Sequence, residues 1–166
     1  MRLELFTVVA LLVFAGCFDE PEPAYKTVPE GARVYLKDMG LADLKGQSFD
    51  ASKIDYLNLD RNALTNVDEV ASLTGLKWLR LNSNQLSALP SLGELKSLRR
   101  IYLRDNKFGE VPETLKDLPA LTDIDLSGNP VSEIPEWLAK KDIDGGLIGG
   151  AALKAADFAG IVAAAN

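Results

Sequence analysis

Arginine, tryptophan and tyrosine gather in the middle of this chain. Tyr56, Trp78, Arg80, Arg100, Tyr102 and Arg104 are of the residue types that dominate binding hot spots, flat rings and fixed guanidinium forks. Bond-breaking chemistry has little to work with. Histidine is absent, so the usual neutral-pH proton shuttle and the commonest metal ligand are missing. No serine sits in a GxSxG frame, no glycine loop is built to cradle phosphate, and neither HExxH nor CxxC occurs. Asp123 and Asp125 offer paired carboxylates for acid–base work, but at consecutive outward positions of one strand they read as a solvated face. The DLSGNP turn from Asp125 lacks the clustered carboxylates that calcium prefers. The expectation is a binding protein with no catalytic residues, metal, cofactor or small-molecule substrate.

What positions these residues is a repeat. Asn62, Asn84, Asn106 and Asn129 recur at intervals of 22, 22 and 23 residues, inside the frames IDYLNLDRNAL, LKWLRLNSNQL, LRRIYLRDNKF and LTDIDLSGNPV. Alternating apolar residues predict a strand with one buried face. Leu57 and Leu59, Leu79 and Leu81, Ile101 and Leu103, and Ile124 and Leu126 should point inward. The asparagine falls where the chain must turn. Its amide both donates and accepts, so it can satisfy the backbone of its own coil and of a neighbour. The apolar pattern continues through Val67, Leu89, Val111 and Ile134, and through Val70, Leu92, Leu115 and Leu138. No single coil buries its own apolar edge, and stacking is required.

This frame resembles the leucine-rich repeat family over residues 31–143. The resemblance implies an α/β fold: a right-handed solenoid with one parallel sheet on its concave face and short helices or 3₁₀ turns on the convex face. Residues 31–53 form a degenerate N-terminal cap with Met39 in place of the asparagine, followed by coils 54–75, 76–97, 98–120 and 121–143. The 22-residue coils are similar to internalin-like and phosphatase-regulator-like members, whereas Leu89-Pro90, Val111-Pro112 and Ile134-Pro135 resemble the broader bacterial and animal type. The family implies a protein-binding scaffold. Stacking the frames predicts outward columns: Arg33, Tyr56, Trp78, Arg100, Asp123; then Tyr35, Asn58, Arg80, Tyr102, Asp125; then Lys37, Asp60, Asn82, Arg104, Ser127. Strands about 4.8 Å apart bring column neighbours into contact. The expected surface exposes Trp78, with a basic centre between acidic flanks, and suits a protein partner carrying an acidic patch.

The ends are different. Residues 1–16 read as a signal peptide, with an uncharged apolar run from Leu5 to Ala15 that is too short to cross a bilayer. Ala15-Gly16-Cys17 resembles a bacterial lipobox, which implies lipidation of Cys17, the only cysteine. An ordinary secreted protein with an incidental cysteine is the alternative. Residues 17–30, rich in proline and carboxylates, read as an extended tether of at most about 43 Å. The domain would then lie at a bacterial cell envelope, with Phe18 after the anchor favouring the outer membrane. Residues 144–166 are alanine-rich and read as a C-terminal cap helix, the paired glycines at 145–146 and 149–150 acting as a joint. A net charge of −6 argues against nucleic acid. Two functions fit: a membrane-anchored protein-interaction module, or a structural or adhesive envelope lipoprotein that binds glycan or envelope polymer.

Overall fold

The structure is a computed structural model, and it describes residues 32–139 and 145–147. The expected signal peptide, the tether with Cys17 and the tail beyond Leu147 lie outside the described residues. Six strands follow in chain order: β1 (Ala32–Tyr35), β2 (Ile54–Asn58), β3 (Trp78–Arg80), β4 (Arg100–Tyr102), β5 (Asp123–Asp125) and β6 (Gly145–Leu147). Each pairs in parallel with the next to form one sheet. Leu57, Leu59, Leu79, Leu81, Ile101, Leu103, Ile124 and Leu126 are all buried on its inner face, as the alternation predicts.

The return path of each coil is set by apolar residues three apart. Val67, Val70 and Leu73 are buried and joined by i→i−3 bonds, Val70 N donating to Val67 O and Leu73 N to Val70 O at 3.0 Å each. A spacing of three stacks side chains on one face of a 3₁₀ turn, and here that turn spans Asp68–Ser72. Leu115 and Leu118 repeat the device around a 3₁₀ turn at Glu113–Asp117. In the last described coil one α-helical turn, α1 (Glu136–Ala139), buries Leu138. All of these apolar residues belong to one continuous core shared by neighbouring coils, which is what makes the stack cooperative.

Two features depart from the sequence reading. Gly145–Leu147, expected to join or open a cap helix, is instead a strand paired with Asp123–Asp125. The edge of β5 offers unpaired backbone groups, and a parallel strand satisfies them. The second is a column of left-handed backbone: Asp38 (φ 59°), Arg61 (55°), Ser83 (55°), Asp105 (53°) and Gly128 (70°). Each stands one residue before the ladder position, so every coil turns through the same left-handed residue. Glycine suits this backbone best, yet only the last of these coils uses it. Among the described residues no helix is long and apolar enough to cross a membrane.

Candidate binding surface on the concave face

The parallel register converts the repeat period into lateral neighbours. Arg33 faces Tyr56, Tyr56 faces Trp78, Trp78 faces Arg100 and Arg100 faces Asp123. Tyr35, Asn58, Arg80, Tyr102 and Asp125 align in the same way. The one irregularity is a bulge: Ala32 pairs with Ile54 and Arg33 with Tyr56, leaving Asp55 as the extra residue.

Within and between the first two columns the large side chains lie over one another. The Tyr35 and Tyr56 rings are 5.3 Å apart and the Tyr56 and Trp78 rings 5.8 Å, both tilted. Arg100 places its guanidinium 4.2 Å over Trp78, and Arg80 sits 5.7 Å over Tyr102, both within cation–π range. The exposure expected for Trp78 is therefore corrected: Trp78 is 8%, Arg100 5% and Tyr56 2% exposed. They face away from the leucine core but are covered by their own column. Strands less than 5 Å apart leave no room for bulky neighbours to stand separately. Tyr35, at 48%, is open to solvent, Arg104 is exposed, and Arg80 and Tyr102 are half-buried.

The basic centre read from Lys77, Arg80, Arg99, Arg100 and Arg104 is also corrected, because all of it but Arg99 is neutralised from within. Arg80 Nε donates to Asp60 Oδ2 at 2.8 Å, Arg100 lies 3.4 Å from Asp123, Arg104 3.3 Å from Asp105 and Lys77 3.7 Å from Asp55. Of the acidic flanks, Asp55, Asp60 and Asp123 are counter-ions of the centre, whereas Asp125 Oδ1 accepts from Ser127 N and Oγ. Burial works against the Arg80 charge, but the charges and hydrogen bonds of Asp60 and Tyr56 outweigh it and hold its pKa above the ordinary value. Asp60 does a second job, its other oxygen accepting from Asn82 N at 2.8 Å. Asn82 Oδ1 in turn accepts from Arg104 N at 2.9 Å, and Asn58 Oδ1 from Asp60 N at 3.0 Å. This second polar ladder on the concave edge was not read from the sequence. Its signal is an Asn or Asp at the third outward position of successive coils, Asp60 and Asn82.

The asparagines lie on the core side of the same turns. Asn84 Nδ2 donates to Leu59 O and Leu81 O, Asn106 Nδ2 to Leu81 O and Leu103 O, and Asn129 Nδ2 to Leu103 O and Leu126 O. Asn62 reaches Leu36 O and Leu59 O, and its Oδ1 accepts from Met39 N and Leu41 N. Each asparagine thus ties its own coil to the preceding one. This holds the concave columns in register. No group of ligating side chains suited to a metal occurs among the described residues.

Comparison with known proteins divides the chain in two. A family model described as Leucine Rich Repeat matches residues 97–118, and one described as Triosephosphate isomerase matches residues 129–165. Among curated proteins the chain is 65% identical over 35 residues to triosephosphate isomerase of Delftia acidovorans, covering 21% of this chain and 14% of that enzyme. It is 76% identical over 29 residues to that of Clostridium novyi, covering 18% of this chain and 12% of the enzyme. The chain therefore spans about one seventh of the curated relatives it matches. The glycine pairs and the alanine-rich stretch, whose pattern reads as a joint and a cap, carry this likeness, which their spacing does not reveal. Among solved structures it is similar to an internalin from Listeria monocytogenes, with TM-score 0.54 and 28% identity over 60% of this chain and 29% of that one. A chain of the Drosophila melanogaster SNF/U2A' complex aligns with TM-score 0.61 and 23% identity, over 80% of this chain and 78% of that one, which speaks for the fold alone. With the repeated frame, the parallel sheet and the shared asparagine turns, these likenesses make residues 32–139 a leucine-rich repeat solenoid.

Proposed function

We propose that this chain is a non-enzymatic protein-binding module that holds its partner on the concave face and is tethered to a bacterial cell envelope through lipidated Cys17. One observation carries the binding reading: the outward columns form a surface whose rings and charges are already held by internal contacts. A surface fixed before binding loses less side-chain freedom when a partner arrives. The groups it offers outward, Tyr35, Arg80, Tyr102 and Arg104, are of types favoured at interfaces. The glycan alternative needs open ring faces for stacking, and Tyr56 and Trp78 are covered by their neighbours. This favours a protein partner. The triosephosphate isomerase likeness does not support isomerase activity, since a (β/α)₈ active site draws on loops from eight strands and the match spans 14% of the enzyme.

Partner capture by the immobilised chain tests the binding reading. Tyr102→Ala and Arg104→Ala should each weaken retention, whereas the convex control Lys96→Ala should not. Equal retention by all three variants would move the site off the concave face. The anchor is tested separately by radiolabelled palmitate. Wild type should be labelled and sediment with membranes, whereas Cys17→Ser should be unlabelled. A labelled Cys17→Ser chain, or a soluble wild type, would remove the lipoprotein reading.

A further inference from the structure

Of the six arginines among the described residues four have a carboxylate of their own, Arg99 stands exposed beside the columns, and Arg33 stands within them. Arg61 is bidentate on Asp38 at 2.7 and 2.8 Å, and Arg80, Arg100 and Arg104 pair with Asp60, Asp123 and Asp105. Arg33 is different. Its Nη1 donates to the Tyr35 hydroxyl at 3.2 Å, and its guanidinium lies 5.5 Å from the centre of the Tyr56 ring. Its Nη2 is buried without a hydrogen-bond partner. Among the described residues no carboxylate forms an ion pair with it.

The register explains the vacancy. Arg100 finds Asp123 across the strand in its own column, but the residue across from Arg33 is Tyr56. The nearby carboxylate that breaks the register, Asp55, sits on the bulge with Lys77 at 3.7 Å. Arg33 therefore has the ring half of the surroundings that Arg100 enjoys and lacks the anionic half. A guanidinium presents parallel N–H donors that match a carboxylate bidentately. Tyr35, which occupies one donor through its hydroxyl, is 48% exposed, so its ring can turn aside without opening the core.

We infer that Arg33, flanked by Tyr35 and Tyr56, is the anion-anchoring point of the concave surface, and that it takes an aspartate or glutamate side chain of the protein partner. This rests on the concave-face reading above and moves acidic recognition from the centre of the sheet, where the charges are already matched, to its N-terminal edge.

The test uses the full chain and two short fluorescein-labelled probes, a Glu-Phe repeat peptide and its Gln-Phe counterpart, followed by fluorescence anisotropy. Wild type should prefer the Glu-Phe peptide by about tenfold, the scale of one charge-assisted pair. Arg33→Gln should abolish that preference with an unchanged circular dichroism spectrum. Arg33→Lys, which keeps the charge but not the fork, should restore it only in part. In ¹⁵N-arginine spectra of wild type, the Arg33 side-chain signal should shift on adding the Glu-Phe peptide, a readout that needs no variant to fold. The inference is overturned if wild type shows no Glu-over-Gln preference, or if Arg33→Gln retains it. If Arg33→Gln retains it while Tyr102→Ala weakens both peptides, Arg33 is excluded and the concave face stands. If neither variant changes binding, both readings fall.

Discussion

Replacing Asn84 by alanine is the sharpest probe of what holds the solenoid together. Asn84 makes four bonds to backbone: Nδ2 donates to Leu59 O and Leu81 O at 3.0 Å each and to Asn82 O at 3.2 Å, and Oδ1 accepts from Leu64 N at 3.1 Å. Their loss is unequal. Leu59 O also accepts from Asn62 Nδ2 and Leu81 O from Asn106 Nδ2, both at 2.9 Å, and Asn82 O from Arg61 N at 2.8 Å, so each carbonyl keeps a partner. Leu64 N has no second acceptor among the described residues, and Leu64 is wholly buried. One orphaned buried N–H costs about 1–3 kcal/mol. With three weakened carbonyls added, Asn84→Ala should destabilise by about 2–3 kcal/mol. Asn62→Ala should cost about half as much, because one of its donors belongs to Met39, which is 57% exposed and within reach of water. Asn84→Asp keeps the acceptor but turns a carboxylate toward two carbonyls, so it should be at least as damaging as alanine. Urea unfolding followed by circular dichroism measures all three against the surface control Lys96→Ala. The bridging argument is refuted if Asn84→Ala unfolds within about 0.5 kcal/mol of Lys96→Ala, the scatter of neutral surface changes.

Four further outcomes follow from the geometry. Ser83→Gly should raise stability by about 0.5 kcal/mol in the same assay, since it relieves a φ of 55° that glycine adopts without strain. Gly128→Ala should lower stability instead, because its Cβ would collide with the Asp105 carboxylate. Trp78→Ala should cost about 3 kcal/mol of folding stability, as truncation of a buried aromatic does, and a thermal melt would show it. A wild-type melting temperature would mean that the ring column contributes nothing. The Asp38 carboxyl is held below its ordinary pKa by hydrogen bonding to Arg61. Its stabilisation is thus present above about pH 3.9 and lost as pH falls through the lower folded value. Asp38→Asn should be slightly less stable than wild type at pH 7 and equal to it near pH 2, and a gap persisting at pH 2 would contradict the pairing. Both side chains are more than half exposed, so the gap at pH 7 should shrink in high salt.

The sequence by itself determined the coils. A period of 22 or 23 residues, with leucines alternating inside it, leaves each segment with an apolar edge that only the next copy can cover. Sequence period then becomes spatial neighbour, which is why the spacing alone places Arg33, Tyr56, Trp78, Arg100 and Asp123 in one column. The tertiary structure decided what happens within a column. Whether Trp78 is open or covered depends on the rotamers of Tyr56 and Arg100, and these have no trace in spacing. Which carboxylate neutralises which guanidinium depends on side-chain reach, so most of a set of arginines that reads as a basic patch becomes closed pairs, Arg80 with Asp60, Arg100 with Asp123 and Arg104 with Asp105. It also placed Gly145–Leu147 in the sheet. Glycine has little preference for a strand, and the unpaired edge of β5 supplied the hydrogen bonds that local propensity does not predict.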